Sequence, residues 1–285
     1  MEDIRVAAAQ TCTPVGKTGE NIEKSRRFAR QAREHGVEIL CFPELHIPGF
    51  WRHRDLYLLA EPVPGRISDE MVRIAREADL TILAGMAELG SNGVVYNTQI
   101  VATPQGLAGK YRKLHINEVE IPYWSYGYDL PVFKHPKITF GIEICYDSHF
   151  PEVSTALALK GCELLFFPHA SGEESLSEAV SREGFRNKKA RWLRYMPARA
   201  YDNSVFVVVC NHVGDNGGGN VYPGNSMIIN PMGEVIAEAG EGEEGLVIAD
   251  LKAQDLFQVR KDGGWAFFLR YRRPELYASV AAMDF

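Results

Sequence analysis

The sequence predicts an α/β fold with a mixed sheet. Strand-length apolar runs alternate with charged segments of helical period. Short connections join strand, helix and strand, which fits parallel pairs with right-handed crossovers. Tight turns rich in Asn, Gly and Pro join other runs and add antiparallel neighbours.

In chain order, residues 4–10 read as a buried strand. Residues 21–35 read as a helix stopped by Gly36, and 37–42 as a second strand running into Pro43-Glu44. A carboxylate directly after a buried strand stands where open α/β sheets bind ligands, although loops carry many ordinary charges. The following segment, 45–54, has the aromatics, glycine and proline of a pocket-lining loop, with Trp51 a candidate contact. Residues 68–78 read as a helix with Ser68 as its N-cap. Strands follow at 81–86 and 94–102, joined by Asn92-Gly93 and followed by a turn at 103–106.

Residues 109–116 carry Lys110, Arg112 and Lys113. Alternation puts Tyr111 and Lys113 on one face and Arg112 on the other. An inward Lys113 needs acidic partners to stay charged. An aromatic loop, 123–128, brings Tyr123 and Trp124, each equally suited to pocket or core.

Next comes the stretch Gly141-Ile142-Glu143-Ile144-Cys145-Tyr146-Asp147-Ser148-His149-Phe150-Pro151-Glu152. Its pattern is strand, sharp turn and helix, with Pro151 in the first turn. Backbone N–H groups there would lower the Cys145 thiol pKa and cradle an oxyanion. Alone, Cys145 fits equally a small buried side chain at a strand end. A strand at 163–167 ends in Pro168-His169, mirroring Pro43-Glu44 and suggesting an internal pseudo-repeat. His149 and His169, after the cysteine and after this strand, are candidate pocket residues.

The polar segment 172–181 reads as a mobile loop, and 182–202 as a basic helical segment interrupted by Pro197. Residues 205–210 read as a strand. The glycine-rich 211–224 reads as a flexible loop without the spacing of a phosphate cradle. Strands at 225–230 and 245–251 flank a turn at 231–233, and 254–260 is a short helix. One domain is expected over 1–260, with an arginine- and aromatic-rich tail over 261–285 docking on it or on a partner subunit.

The 285 residues are 46% hydrophobic and 24% charged, which is ordinary globular composition. A net charge of −6 argues against nucleic acid as a partner. No apolar run is long enough for a membrane span. The charged N-terminus lacks a signal-peptide core, so a cytoplasmic location is expected. Five scattered cysteines fit a reducing compartment. Without a CxxC or HxxxH pattern, neither a metal nor another cofactor is expected.

Taken together, these motifs resemble the nitrilase superfamily of carbon–nitrogen hydrolases over nearly the whole chain. The residues that carry the resemblance are Phe42-Pro43-Glu44, Val95-Tyr96-Asn97-Thr98, Tyr111-Arg112-Lys113-Leu114-His115 and Ile144-Cys145-Tyr146-Asp147 with Phe150-Pro151-Glu152. Further on they are Arg199-Ala200-Tyr201-Asp202-Asn203, Asn211-His212-Val213-Gly214, and Asn225-Ser226 before Pro231-Met232-Gly233. The family commonly has arginine where His212 stands, read here as a substitution away from the chemistry.

The resemblance implies a four-layer α-β-β-α sandwich with two mixed sheets, and self-association as a homodimer or higher oligomer. It also implies Glu44 as base, Lys113 as the lysine and Cys145 as nucleophile, with a thioester intermediate. Glu118 and Glu120 compete for a second glutamate, and the spacing to Gly127 points to Glu120. Tyr146-Asp147 looks more like the amidase and carbamoylase branches than the Trp-Glu of nitrilases. Ser148 and His149 stand where amino-acid carbamoylases carry arginines, so Arg182, Arg186 or Arg191 is left to clamp a substrate anion. A small-molecule amide is the expected substrate, with N-carbamoyl compounds, nitriles and a catalytically silent scaffold as alternatives. The triad predicts inactivation by iodoacetamide and insensitivity to chelators; activity lost to a chelator would point to a metallohydrolase.

Overall fold

The computed structural model describes residues 1–173, 182–240, 242–261 and 267–279. The chain first lays down β1 (Ile4–Gln10), α1 (Thr18–Glu34), β2 (Ile39–Cys41), α2 (Arg66–Ala78), β3 (Thr81–Leu89), β4 (Val95–Thr103) and β5 (Gly106–Arg112). A second run holds β6 (Phe133–His135), β7 (Ile138–Ile142), α3 (Pro151–Leu159), β8 (Leu164–His169), α4 (Arg182–Trp192), α5 (Met196–Asn203) and β9 (Phe206–Asn211). After a ribbon of β10 (Val213–Asp215) and β11 (Val221–Pro223), β12 (Met227–Ile229) and β13 (Val235–Glu238) complete the second sheet. Then β14 (Gly245–Leu251) returns to the first sheet, and α6 (Ala253–Arg260) follows.

The two six-stranded sheets have the orders β14-β1-β2-β3-β4-β5 and β13-β12-β9-β8-β7-β6. In each, three central strands are parallel and the outer ones antiparallel. The repeat of strand, helix and strand is therefore present in both halves.

Period-two alternation separates the layers. Val6, Ala8, Ile39, Cys41 and Leu83 of one sheet pack against Phe140, Ile142, Phe166 and Val208 of the other. Their sequence neighbours face outward. Ala7, Leu40 and Ile82 meet Phe28 and Ala32 of α1 and Met71 and Ile74 of α2. Leu165, Phe167 and Val207 meet Leu157 of α3, Trp192 of α4 and Met196 of α5. The result is the α-β-β-α sandwich. Fully burying a side chain such as Phe166 contributes roughly 1.5–3 kcal/mol, so apolar burial dominates the join between sheets.

Several local expectations are corrected. Gly65 is the N-cap of α2, and Ser68 stands three residues in, its Oγ accepting from the Gly65 N–H at 2.9 Å. The basic segment is two helices, with Pro197 in the first turn of α5. Residues 211–224 form a hairpin rather than a flexible loop. Its bend is held where the buried Asn216 side chain donates to the Phe50 carbonyl at 2.7 Å and accepts from the Gly218 N–H at 2.9 Å. The turn at 231–233 leads into β13, a half-exposed edge strand whose pattern was too weak to read. The loop expected at 172–181 lies from 174 onward outside the described residues, as do tail residues 262–266 and 280–285. In the described tail, Phe268 packs edge-on against Tyr201 of α5, ring centroids 5.4 Å apart.

Candidate active site

The C-terminal ends of β2, β7 and β8 converge on one cleft of about 620 Å³. That is the size of a small-molecule site. Glu44 follows β2, Cys145 follows β7, His169 ends β8, and all three line the cleft with Glu120. Leu45 and Cys145 both hold the left-handed backbone conformation, each with φ +48°. For a residue other than glycine this costs on the order of 1 kcal/mol and must be held by its surroundings.

Lys113 lies just beyond β5, on the buried face that alternation assigns to it, and is wholly buried. Its Nζ donates to Glu44 Oε1 at 2.9 Å and to Glu120 Oε1 and Oε2 at 2.7 and 2.9 Å. Burial alone would discharge this ammonium. The Glu44 and Glu120 carboxylates outweigh that and hold its pKa above the usual lysine value. Two carboxylates against one ammonium leave a surplus of negative charge. Burial raises the Glu120 pKa, opposed by Lys113 and reinforced by Glu44. Glu118 is exposed and takes no part in this cluster.

Glu44 is pinned at three points. Besides Lys113, Asn97 Nδ2 donates to Oε1 at 2.7 Å, and the Ala170 N–H donates to Oε2 at 2.8 Å. The same Ala170 N–H favours a thiolate at Cys145, so one backbone group serves both side chains. The thiol itself runs against expectation. Burial, then the Glu44 carboxylate, push it well above the usual cysteine range; Lys113 opposes without prevailing. The structure begins a five-residue 3₁₀ turn at Cys145, and its few N–H groups do not offset desolvation. A protonated resting thiol needs a base.

Asp147 braces this turn against the lysine segment. Its Oδ2 accepts from Tyr111 Oη at 2.7 Å and from the Ile144 N–H at 3.1 Å, and its Oδ1 accepts from the His115 N–H at 2.8 Å. Arg199 closes the turn from the other side, donating to the carbonyls of Ser148 at 3.0 Å and His149 at 3.1 Å.

The remaining expected residues separate. Tyr146 and His149 line the cleft; the His149 ring stacks on Tyr195 at 4.5 Å and tilts against Tyr146 at 5.5 Å. Partial burial, with Arg199 and Arg191 nearby, lowers the His149 pKa. His169 is buried, and neither ring nitrogen has a hydrogen-bond partner among the described residues. Burial, then His149 and Lys113, keep it neutral. Three aromatics fall outside the cleft wall. Trp51 stacks on His53 at 4.4 Å, and Tyr123 lines an adjoining hollow with Arg52 and Gly218. Trp124 is buried against Phe50, behind Lys113, whose Nζ lies 6.0 Å from its ring centroid.

Of the anion-clamp candidates, Arg191 lines the cleft and Arg186 does not, while the Arg182 side chain lies outside the described residues. Arg52, from the segment 45–54 that reads as a pocket-lining loop, also lines it, as do Asn220 and Tyr195 from segments that carried no such signal. Asn97 and Asp147 did carry one, standing inside motifs the sequence already singled out. His212 is the clearest correction. Far from lying away from the site, it is buried with Nε2 2.7 Å from the Glu44 carbonyl oxygen. Burial lowers its pKa to about 4, so the ring is neutral at pH 7.

A family model for carbon–nitrogen hydrolases matches residues 5–261. The chain belongs to that family, within the nitrilase superfamily. Omega-amidase NIT2 of Homo sapiens is 30% identical over 270 residues, 91% of each chain. Among solved structures, Saccharomyces cerevisiae Nit3 superposes with a TM-score of 0.80 at 23% identity, over 91% of this chain and 94% of that one. An amidase from Nesterenkonia sp. AN1, in which acrylamide has added to the active-site cysteine, gives 0.78 at 23% identity over 97% and 99%. These likenesses establish the sandwich, and the chain is a carbon–nitrogen hydrolase by family.

The turn holding Glu44 leaves no room beneath it. A Cβ on Gly85 would lie 2.3 Å from the Leu45 nitrogen and 2.7 Å from the Pro43 carbonyl oxygen, both backbone atoms. Gly85→Ala should displace the turn, destabilise the fold by about 1–3 kcal/mol and lower turnover. Urea denaturation beside an activity assay checks both; unchanged turnover would show that the turn tolerates displacement.

Proposed function

We propose that this protein hydrolyses the C–N bond of a small amide through a cysteine thioester. The observation that carries the reading is Lys113 buried behind Glu44 and Glu120, two carboxylates that line one cleft with Cys145. A buried ionic cluster is poor value for stability alone, because desolvation offsets most of its attraction. Clusters of this kind concentrate at functional sites.

In the proposed sequence, Glu44 takes the proton from Cys145 as sulfur adds to the amide carbon. One Lys113 hydrogen meets Glu44, a second is shared between the two Glu120 oxygens, and the third, with the Tyr146 N–H, meets the oxyanion. Glu44 returns the proton to the departing nitrogen as the C–N bond breaks, releasing ammonia or an amine and leaving the acyl group on sulfur. Water then attacks the thioester and gives its proton to Glu44. The second tetrahedral adduct collapses to a carboxylic acid, and the regenerated thiol recovers the proton. Glu120 orients Lys113 and balances its charge.

The relatives named as amidases support an amide substrate, although a Pyrococcus abyssi relative named nitrilase is also 30% identical. Arg52 and Arg191 on the wall suit a polar or anionic far end. A second reading, N-carbamoyl hydrolysis, draws on His169. A ureido substrate adds an N–H beside the reacting carbonyl, which a neutral unpartnered imidazole is suited to accept. Self-association through α3 and the tail is part of the proposal. Leu159, Tyr271 and Leu276 are 53%, 63% and 59% exposed there, apolar side chains that a partner subunit would cover.

Cys145→Ala should abolish hydrolysis with the fold intact by circular dichroism, and Lys113→Ala should lower kcat about 10²–10³-fold. Ammonia release over aliphatic and aromatic amides, N-carbamoyl compounds and nitriles would rank the substrates; turnover by the Cys145→Ala variant would overturn the reading. The solution mass at micromolar concentration should be a multiple of the subunit mass, and a monomer would remove the self-association proposal.

A further inference from the structure

We propose that His212 is a positioning residue for Glu44, fixing its main chain so that the carboxylate keeps its place in the cleft beside Cys145. The inference rests on the reading of Glu44 as the base and adds a residue to it.

Hydrogen-bond chemistry dictates the ring's state. The Glu44 carbonyl can only accept, so His212 Nε2, 2.7 Å away, carries the hydrogen. Nδ1 of the neutral ring is then the acceptor, and Thr13 Oγ1 donates to it at 3.1 Å. The ring tilts on Tyr222 with centroids 5.1 Å apart and is 1% exposed, so it has no room to turn. Its backbone is anchored as well. Thr11 and His212 form a parallel bridge at the ends of β1 and β9, and the Val213 N–H donates to the Thr11 carbonyl at 3.1 Å.

The carbonyl it holds is mechanically significant. It belongs to the peptide joining Glu44 to Leu45, and Leu45 is the buried residue with φ +48°. That conformation turns the chain sharply after the candidate base. Lys113, Asn97 and Ala170 hold the tip of the Glu44 side chain, while His212 holds its root. Without the root contact, the peptide plane can rotate and carry the carboxylate off line. Misplacements of that kind reduce rate more than binding.

The test reads Cys145 directly and needs no identified substrate. Iodoacetamide alkylates the thiol, sulfur bonding to carbon as iodide leaves and the thiol proton passes to Glu44. Mass spectrometry of the peptide containing Cys145 follows the rate. His212→Asn keeps a polar atom near the Nδ1 place but loses the Nε2 donor; His212→Gln can present a donor near the Nε2 place. His212→Asn should slow alkylation about 10- to 100-fold, and His212→Gln should recover most of that loss. Glu44→Gln should also be slow, and the double variant Glu44→Gln/His212→Asn should be no slower than Glu44→Gln. With the best amide from the substrate panel, His212→Asn should lower kcat and leave KM nearly unchanged.

If Glu44→Gln reacts at the parent rate, the base assignment fails and this inference falls with it. If Glu44→Gln is slow but His212→Asn matches the parent, the positioning role alone is overturned. Additive slowing in the double variant would likewise overturn it, showing that His212 acts by another route. Should His212→Asn fail to fold, His212→Phe keeps a ring there without the Nε2 donor, and a parent-like rate for that variant overturns the proposal.

Discussion

Everything at the site depends on one ammonium kept charged where no water reaches it. Lys113 stays ionised because carboxylates from two different parts of the chain approach its nitrogen within 2.9 Å. Each member of this cluster is tolerable only in company. Removing one carboxylate would leave the lysine underpaired, and removing the lysine would leave two buried anions facing each other. The turns after β2 and β5 and the loop at 117–123 must therefore fold together. The Asp147 bonds to Tyr111, Ile144 and His115 tie the Cys145 turn into the same unit.

The doubled topology explains why these turns meet. Each sheet presents the ends of three parallel strands, where backbone groups run out of ladder partners and ligand groups collect. Glu44 occupies the end of β2 in one sheet, and His169 occupies the matching end of β8 in the other. The two halves have diverged chemically at equivalent places. One carries a carboxylate gripped at both oxygens, the other a neutral imidazole without a hydrogen-bond partner among the described residues.

Much of this was legible in the residue pattern, for physical reasons. The buried strands are nearly unbroken apolar runs, so β1, β2, β8 and β9 announce themselves. Alternation put Tyr111 and Lys113 on one face and Arg112 on the other, and the structure makes the first face the buried one, while Arg112 turns away to Glu88 at 2.5 Å. What stayed hidden is what depends on long-range company. The hairpin at 213–223 looks like a loop because its order comes from Phe50 and Glu173, far off in sequence. The rise in the Cys145 pKa was invisible because local N–H groups argue one way and distant burial the other. His212 was misjudged because its partner lies 168 residues away.

Glu44 and Cys145 hang from opposite sheets, so the apolar layer between those sheets acts as a spacer that sets the reach from carboxylate to sulfur. Phe140, Phe166, Ile39 and Leu83 stay out of the cleft wall, yet their combined thickness gauges the gap between the two side chains. Natural variation in that layer would then tune reactivity through geometry alone, without altering a single group in the cleft.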